Sequence, residues 1–288
     1  MRSKLLRPII AVTVLIVTIS VFVYYFVKHP TVREQLRHTS PLLLASLLLL
    51  YFGIVIATGL ILLSTLVLCN VRLSLRESLL LTMYSAIVNY FGPLQSGPAF
   101  RALYLRKKHG LKLKDYTLAT FVYYAFYALF SGLFLLSGLF KWWLLLVGLF
   151  AFLGFVWLRH SQTREAMRIK QLNLRGLGLL AGATLLQVVL VTIIYYLELR
   201  FVSHGVRLDQ AIIYTGAANF ALFVSLTPGA IGFRESFLVF SRRLHHVGNS
   251  AIVAANIIDR SLYIVLLLIL ALFIFGTHAQ RRFRGSSN

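Results

Sequence analysis

Negative charge is nearly missing from this chain: 8 Asp and Glu stand against 29 Lys and Arg, and charged residues of either sign make up only 13% of 288. So little polar surface excludes a water-soluble enzyme core. The single cysteine, Cys69, excludes an internal disulfide and a cysteine-based metal cluster, and is read as a small buried hydrophobe. No H-E-x-x-H occurs among the 8 histidines, and the pairs His245–His246 and His29–His38 lie in short loops without a carboxylate at metal-binding spacing. G-x-S-x-G, P-loop and Rossmann fingerprints are also missing, which argues against an ATP-driven pump. No catalytic residue, metal or cofactor is therefore expected.

What is present is apolar. Hydrophobic residues make up 59% of the chain, aromatics 14%, and the mean hydropathy is +0.81. Crossing about 30 Å of hydrocarbon takes about 20 helical residues. Runs of that kind are read at 8–27, 41–69, 115–138, 142–158, 176–197 and 250–275. The first has a basic start (Arg2, Lys4, Arg7) but no small-residue cleavage pattern, so it is taken as an uncleaved span. The net charge of +21 sits in short clusters at the span ends, which favours a membrane topology signal over a nucleic-acid partner. With both termini cytoplasmic, 70–76, 101–114 and 159–175 face the same side and carry, with the termini, about two thirds of the 29 Lys and Arg.

That topology requires two stretches to enter the membrane and return. The first, "NYFGPLQSGPAFRALYLRKKHG" (89–110), follows an apolar limb, 77–92, that would be about 24 Å long as a helix, too short to cross. Pro93 stops it, and Gly92 and Gly97 permit sharp turns. The second, "NFALFVSLTPGAIGFRESFLVF" (219–240), repeats the Pro-x-x-x-Gly spacing with Pro228 and Gly232, and Arg234 follows as Arg101 does in the first. Broken backbone at membrane depth is tolerated only against protein or a water-filled cavity. The expected fold is an all-α polytopic membrane protein: six full spans plus two re-entrant helical hairpins forming an inverted repeat. It is one integral domain, 1–288, with half-repeats at 41–138 and 176–275 and a cytoplasmic linker at 159–175.

"NYFGPLQSGPAFRALYL", with Asn89, Pro93, Gly97 and Arg101, and "TPGAIGFRE", with Pro228, Gly229, Gly232, Arg234 and Glu235, resemble the two signatures of the lysylphosphatidylglycerol synthase transmembrane-region family, the flippase-like membrane proteins. The resemblance runs from the second span to the last. It implies a membrane region that moves lipid, and in the family's bifunctional members a cytosolic synthetase follows. Here only "THAQRRFRGSSN" follows the last span, so no synthetase part is expected. The first signature usually has an arginine soon after its proline, where this chain has "PLQSG" with Gln95.

The candidate substrate residues are Asn89, Pro93, Gly97, Arg101, Pro228, Gly232, Arg234, Glu235, Asp259 and Arg260. Arg101 suits a lipid phosphate, or is the first charge of a cytoplasmic loop. Arg234 and Glu235 sit within a broken apolar segment, where ionisable groups are functional or mutually paired. Asp259 and Arg260 carry the same two readings, and from near the end of a span they can also snorkel. Asn89 and Asn219 read as helix-packing glue or as donors to a broken neighbour. Glu198, Tyr195 and Tyr196 read as interfacial, as do Tyr24, Tyr25, Trp142 and Trp143. Tyr123, Tyr127 and Phe130 share one helix face, for packing or for a lipid path. Gly178 and Gly182 read as a close-packing face.

The expected function is movement of an anionic phospholipid, or of a lipid-linked precursor of the polyprenyl-phosphate type, across the cell membrane. The alternative is a non-transporting subunit that supports a lipid-modifying or glycosyltransferase enzyme. An intrinsic lipid-modifying activity would need a carboxylate or histidine pair converging on the cavity, for which Glu235 and Asp259 are the only candidates.

Overall fold

The computed structural model describes residue 27 and residues 40–91, 96–138, 173–224 and 233–285. Every regular element among them is a helix: α1 (Pro41–Leu68), α2 (Leu75–Phe91), α3 (Ser96–His109), α4 (Leu113–Leu136), α5 (Leu174–Val202), α6 (Leu208–Val224), α7 (Phe233–Phe240), α8 (Arg242–His245) and α9 (Asn249–Gly285). Four are long and apolar enough to cross a membrane: α1, α4, α5 and residues Asn249–Gly276 of α9. Each begins and ends within a few residues of an expected span. The expected spans at 8–27 and 142–158, and the linker up to 172, lie outside the described residues.

These helices satisfy their polar groups internally, as a low-dielectric surrounding demands. Thr58, Thr65, Thr184 and Thr192 donate to carbonyls four residues earlier, at 2.7–2.8 Å, so these four hydroxyls are not left bare on an apolar face. Pro41 occupies the first turn of α1, where a missing N–H costs nothing. Asn173 caps α5 by accepting from the Gly176 amide at 3.0 Å.

Two helix pairs fall short of a span, and in each the chain comes back on itself. In the last turn of α3, Tyr104 and Lys108 reach Glu77 in the first turn of α2, with Tyr104 Oη donating at 2.7 Å. After α7, His245 of α8 meets the ring of Tyr214, early in α6, edge-on at 5.3 Å. Packing between elements is two-fold in pattern. Helices α1 and α5 lie along each other, and α1 packs on α2 as α5 packs on α6. Helix α2 packs on α3 as α6 packs on α7, and each first limb also touches the closing span of the other half, α2 on α9 and α6 on α4.

The main core joins α1, α5, α6, α7 and α9 through residues such as Leu47, Ile194, Tyr214, Leu238 and Ile258. A smaller cluster at the other end, with Leu62, Leu66, Leu81, Leu105 and Tyr116, ties α3 to α1, α2 and α4. Close approach is carried by glycines other than the expected pair. No described atom lies within 4 Å of where a Cβ would stand on Gly178 or Gly182. On Gly97 a Cβ would stand 2.8 Å from the Ser85 carbonyl oxygen, and on Gly216 it would stand 2.7 Å from Leu135 Cα.

Candidate functional site

A cavity of about 330 Å³ lies between the two broken pairs, and every helix except the four-residue α8 contributes to its wall. That volume is near the lower end of small-molecule sites, which run from about 300 to 1,000 Å³. It suits a polar headgroup and leaves no room for acyl chains. The charged side chains that line it are Arg101, Arg234, Arg260 and Asp259, so the wall is positive.

One pole is built around Arg234, at the start of α7. Burying its guanidinium requires compensation, and Asp259 of α9 supplies it, accepting from Arg234 Nη1 at Oδ2 over 2.7 Å. The guanidinium carbon also sits 4.9 Å from the centroid of the Tyr195 ring, in cation–π range. Tyr51 donates to the other Asp259 oxygen. Nε and Nη2 of Arg234 are buried and have no hydrogen-bond partner among the described residues, which leaves two donors of a planar fork to be used.

The other pole is Arg101, on α3, whose buried Nε is also without a partner. Its position depends on how α3 is seated against α2. Ser96 Oγ donates to the Val88 carbonyl at 2.9 Å, and the Gly97 amide donates to Asn89 Oδ1 at 3.2 Å. Asn89 is thus both the cap of the returning helix and part of the cavity wall. The absence of a Cβ at Gly97 allows this approach, since Ser85 Oγ would lie 2.7 Å from it.

Between the poles the wall is phenolic and amide. Tyr123 donates to Gln187 at 3.1 Å, and Gln187 donates to Thr58 Oγ1 at 3.3 Å. Tyr124, Tyr127, Tyr90 and Tyr263 complete this lining. Such a surface adds phenol and amide groups to the charges of Arg101, Arg234 and Arg260 in the same wall.

Of the residues singled out in the sequence, the structure brings Asn89, Arg101, Arg234, Asp259 and Arg260 to one cavity. Gly97 acts behind the wall. Pro93, Pro228 and Gly232 lie outside the described residues, as does the Glu235 side chain. Asn219 lines the cavity and also donates to Ser131 of α4 at 3.2 Å, a contact between helices. Arg101 is a half-buried cavity residue and not only the first charge of a loop. Three interfacial readings change. Tyr195 is 6% exposed, covered by Arg234, and Glu198 is fully buried. Asp259, instead of snorkelling, is held by Arg234 and Tyr51. Tyr123 and Tyr127 line the cavity, and Tyr51, Tyr90, Gln187 and Tyr263 join them with no separate sign in the sequence.

The arrangement can hold one small anion, by charge at either pole and by hydroxyls between. The family described as Lysylphosphatidylglycerol synthase TM region matches residues 9–271 of the chain. No curated protein and no solved structure shows a significant match.

Proposed function

This chain belongs to the lysylphosphatidylglycerol synthase TM region family, and from that premise we propose that it moves an anionic lipid between the leaflets of the cell membrane. Family and fold make it a membrane-embedded protein linked to lipid metabolism or transport. The reading rests on one observation: a positive cavity of headgroup size between two broken helix pairs, with unspent guanidinium donors at both poles.

The costly step in moving a lipid is taking its charged headgroup through hydrocarbon, a matter of several kcal/mol or more. A polar cleft lowers that barrier while the tails stay in lipid. Arg101 and Arg234 offer bidentate contacts to phosphate oxygens. The tyrosines between them hand the headgroup along without covalent chemistry, so the chain is read as a transporter and not an enzyme. The return of α3 onto the start of α2, and of α8 onto α6, supports the reading of two re-entrant hairpins. The matched packing of the two halves supports an inverted repeat with its site between them.

The test is leaflet exchange in vesicles of phosphatidylcholine and phosphatidylglycerol carrying a trace of headgroup-labelled lipid. Reconstituted protein is expected to expose inner-leaflet labelled phosphatidylglycerol to an impermeant quencher faster than protein-free vesicles do, and to leave labelled phosphatidylcholine unmoved. A labelled polyprenyl phosphate in a second arm separates the two lipid classes. Glycerol phosphate as a soluble competitor separates a lipid site from a free-phosphate site. No transfer of any anionic lipid, together with lost activity of a partner enzyme in cells lacking the chain, would replace this reading with the accessory one.

A further inference from the structure

Beside Asp259 a second acid, which is not among the residues of the cavity wall, faces this machinery. Glu198, in the last turns of α5, has no solvent exposure, and among the described residues no hydrogen-bond partner reaches either of its carboxyl oxygens. An ionised carboxylate buried without a donor or a counter-ion costs several kcal/mol, whereas a neutral carboxylic acid costs far less. Among the described residues the cation that faces Glu198 is Arg234, and its Nη1 is already bound to Asp259. The groups around Glu198 come from four other helices and its own: Tyr51 of α1, Tyr214 of α6, Arg234 of α7, Asp259 of α9 and Tyr195 of α5. One of them joins the two acids. The Tyr51 hydroxyl donates to Asp259 Oδ1 and also faces Glu198, and a phenol oxygen can accept while its hydrogen is given away.

We propose that Glu198, Tyr51 and Asp259 form a proton-binding site that controls Arg234, so that an anionic headgroup moves together with a proton. In the closed state Glu198 carries one proton, and Asp259 is an anion held by Arg234. Uptake of a second proton from the water on the side of entry neutralises Asp259. The Tyr51 hydroxyl relays it, accepting on oxygen from Glu198 while passing its own hydrogen to Asp259, and Glu198 is then reprotonated from solvent. Asp259 no longer needs Arg234, and all of that guanidinium's donors turn to the phosphate. One negative headgroup and one proton enter together, so the charge of the site is unchanged. Release on the other side reverses each step. This inference rests on the lipid-transfer reading above and adds its driving force.

The experiment imposes a pH gradient on vesicles of phosphatidylcholine and phosphatidylglycerol containing the whole chain, with headgroup-labelled phosphatidylglycerol as probe. Wild type is expected to transfer the label several-fold faster from the acidic side than toward it. In Tyr51→Phe, which removes only the relaying hydroxyl, the ratio of the two rates should approach one. Infrared spectra of the same protein in detergent provide a readout that needs no transport. Wild type at neutral pH should show the carbonyl stretch of a protonated carboxylic acid, and Glu198→Gln should lose it. Transfer that proceeds equally in both directions in wild type overturns the proton link but leaves lipid movement standing. So does a protonated-acid band that is missing, or that persists unchanged in Glu198→Gln. A wild type that transfers nothing fails the lipid reading itself.

Discussion

Arg234 and Asp259 are 25 positions apart in sequence and meet at 2.7 Å inside the protein. The contact joins the short helix that follows the second break to the closing span. It explains why an arginine is tolerated at 7% exposure: its charge is matched on one nitrogen, and two further donors are left for a ligand.

Removing one member strands the other. Arg234→Gln leaves Asp259 with Tyr51 alone, and breaking a buried pair costs about 3–5 kcal/mol. Folded yield should therefore fall sharply, and Arg234→Gln combined with Asp259→Asn should recover most of it. Lipid transfer should not recover in the double variant, because the phosphate fork is still missing. Arg234→Lys should keep the fold and restore transfer only in part. The measurement is folded yield beside vesicle transfer. Full transfer by the double variant would reduce the pair to a structural one.

Where α3 returns to α2, Glu77 gathers Tyr104, Lys108 and His109. Burial pushes its carboxyl up, but hydrogen bonds from Lys108, His109 and Tyr104 outweigh this and hold it at about 2, against an ordinary 4.5. A carboxyl depressed by folding stabilises above its unfolded value, and that stability is lost as pH falls through the folded value. The protection of the amides of residues 104–109, measured against intrinsic exchange at the same pH, should thus hold down to about pH 4.5 and fall between there and about pH 2. Glu77→Gln should remove that step and weaken the fastening by about 1 kcal/mol at neutral pH, since Lys108 is largely exposed to water. An unchanged acid profile in Glu77→Gln would exclude the cluster as its cause.

Legibility from sequence followed what is local. Span positions came from unbroken apolar runs, which the helices from Pro41, Leu113, Leu174 and Asn249 match to within a few residues. Arg101, Arg234, Asp259 and Arg260 were visible because charge within an apolar segment is rare and costly. Hidden were residues whose role comes from convergence. Tyr51, Gln187 and Tyr263 lie on three different helices, and each looks like ordinary span composition in its own segment. Glu198 and Tyr195 misled because the end of a span normally lies at the interface. Here α7 and the start of α9 fold over that end and bury it.

Gly97 and Gly216 each permit a close contact between helices, α3 on α2 and α6 on α4. Gly97→Ala would set a methyl 2.7 Å from Ser85 Oγ, and Gly216→Ala would set one 2.7 Å from Leu135 Cα and from the Ser131 carbonyl oxygen. Each should cost about 1–3 kcal/mol through forced backbone shifts. Gly97→Leu should reduce lipid transfer more than membrane insertion. Gly178→Ala and Gly182→Ala meet no described atom within 4 Å, and should be neutral or should stabilise the helix by about 0.5–1 kcal/mol. Thermal midpoints in one detergent compare all four alanine variants. Equal midpoints for the two pairs would show that neither close approach is needed.

The side on which each loop lies follows from helix lengths and one contact. Helices α1, α4 and α5 have 28, 24 and 29 residues, about 42, 36 and 44 Å at 1.5 Å each, enough for the two ends of each to lie on opposite sides. Helices α2 and α3 have 17 and 14, and the last turn of α3 is fastened to the first turn of α2 through Glu77 and Lys108. The loop between α3 and α4 should therefore share a side with the loop between α1 and α2. By the clustered positive charge of 101–114 that side is expected to be the cytoplasm, and with the expected span at 142–158 the end of α5 at Gly205 is expected to face the exterior. In a Cys69→Ser background, Lys107→Cys in exposed α3 should resist an impermeant thiol reagent in intact cells and react after permeabilisation. Gly205→Cys, exposed and with no described atom within 4 Å of its Cβ position, should react at once. Labelling of both from outside would mean that α2 and α3 together cross the membrane. That would remove the first hairpin, the inverted repeat, and with them the cavity's access to both leaflets.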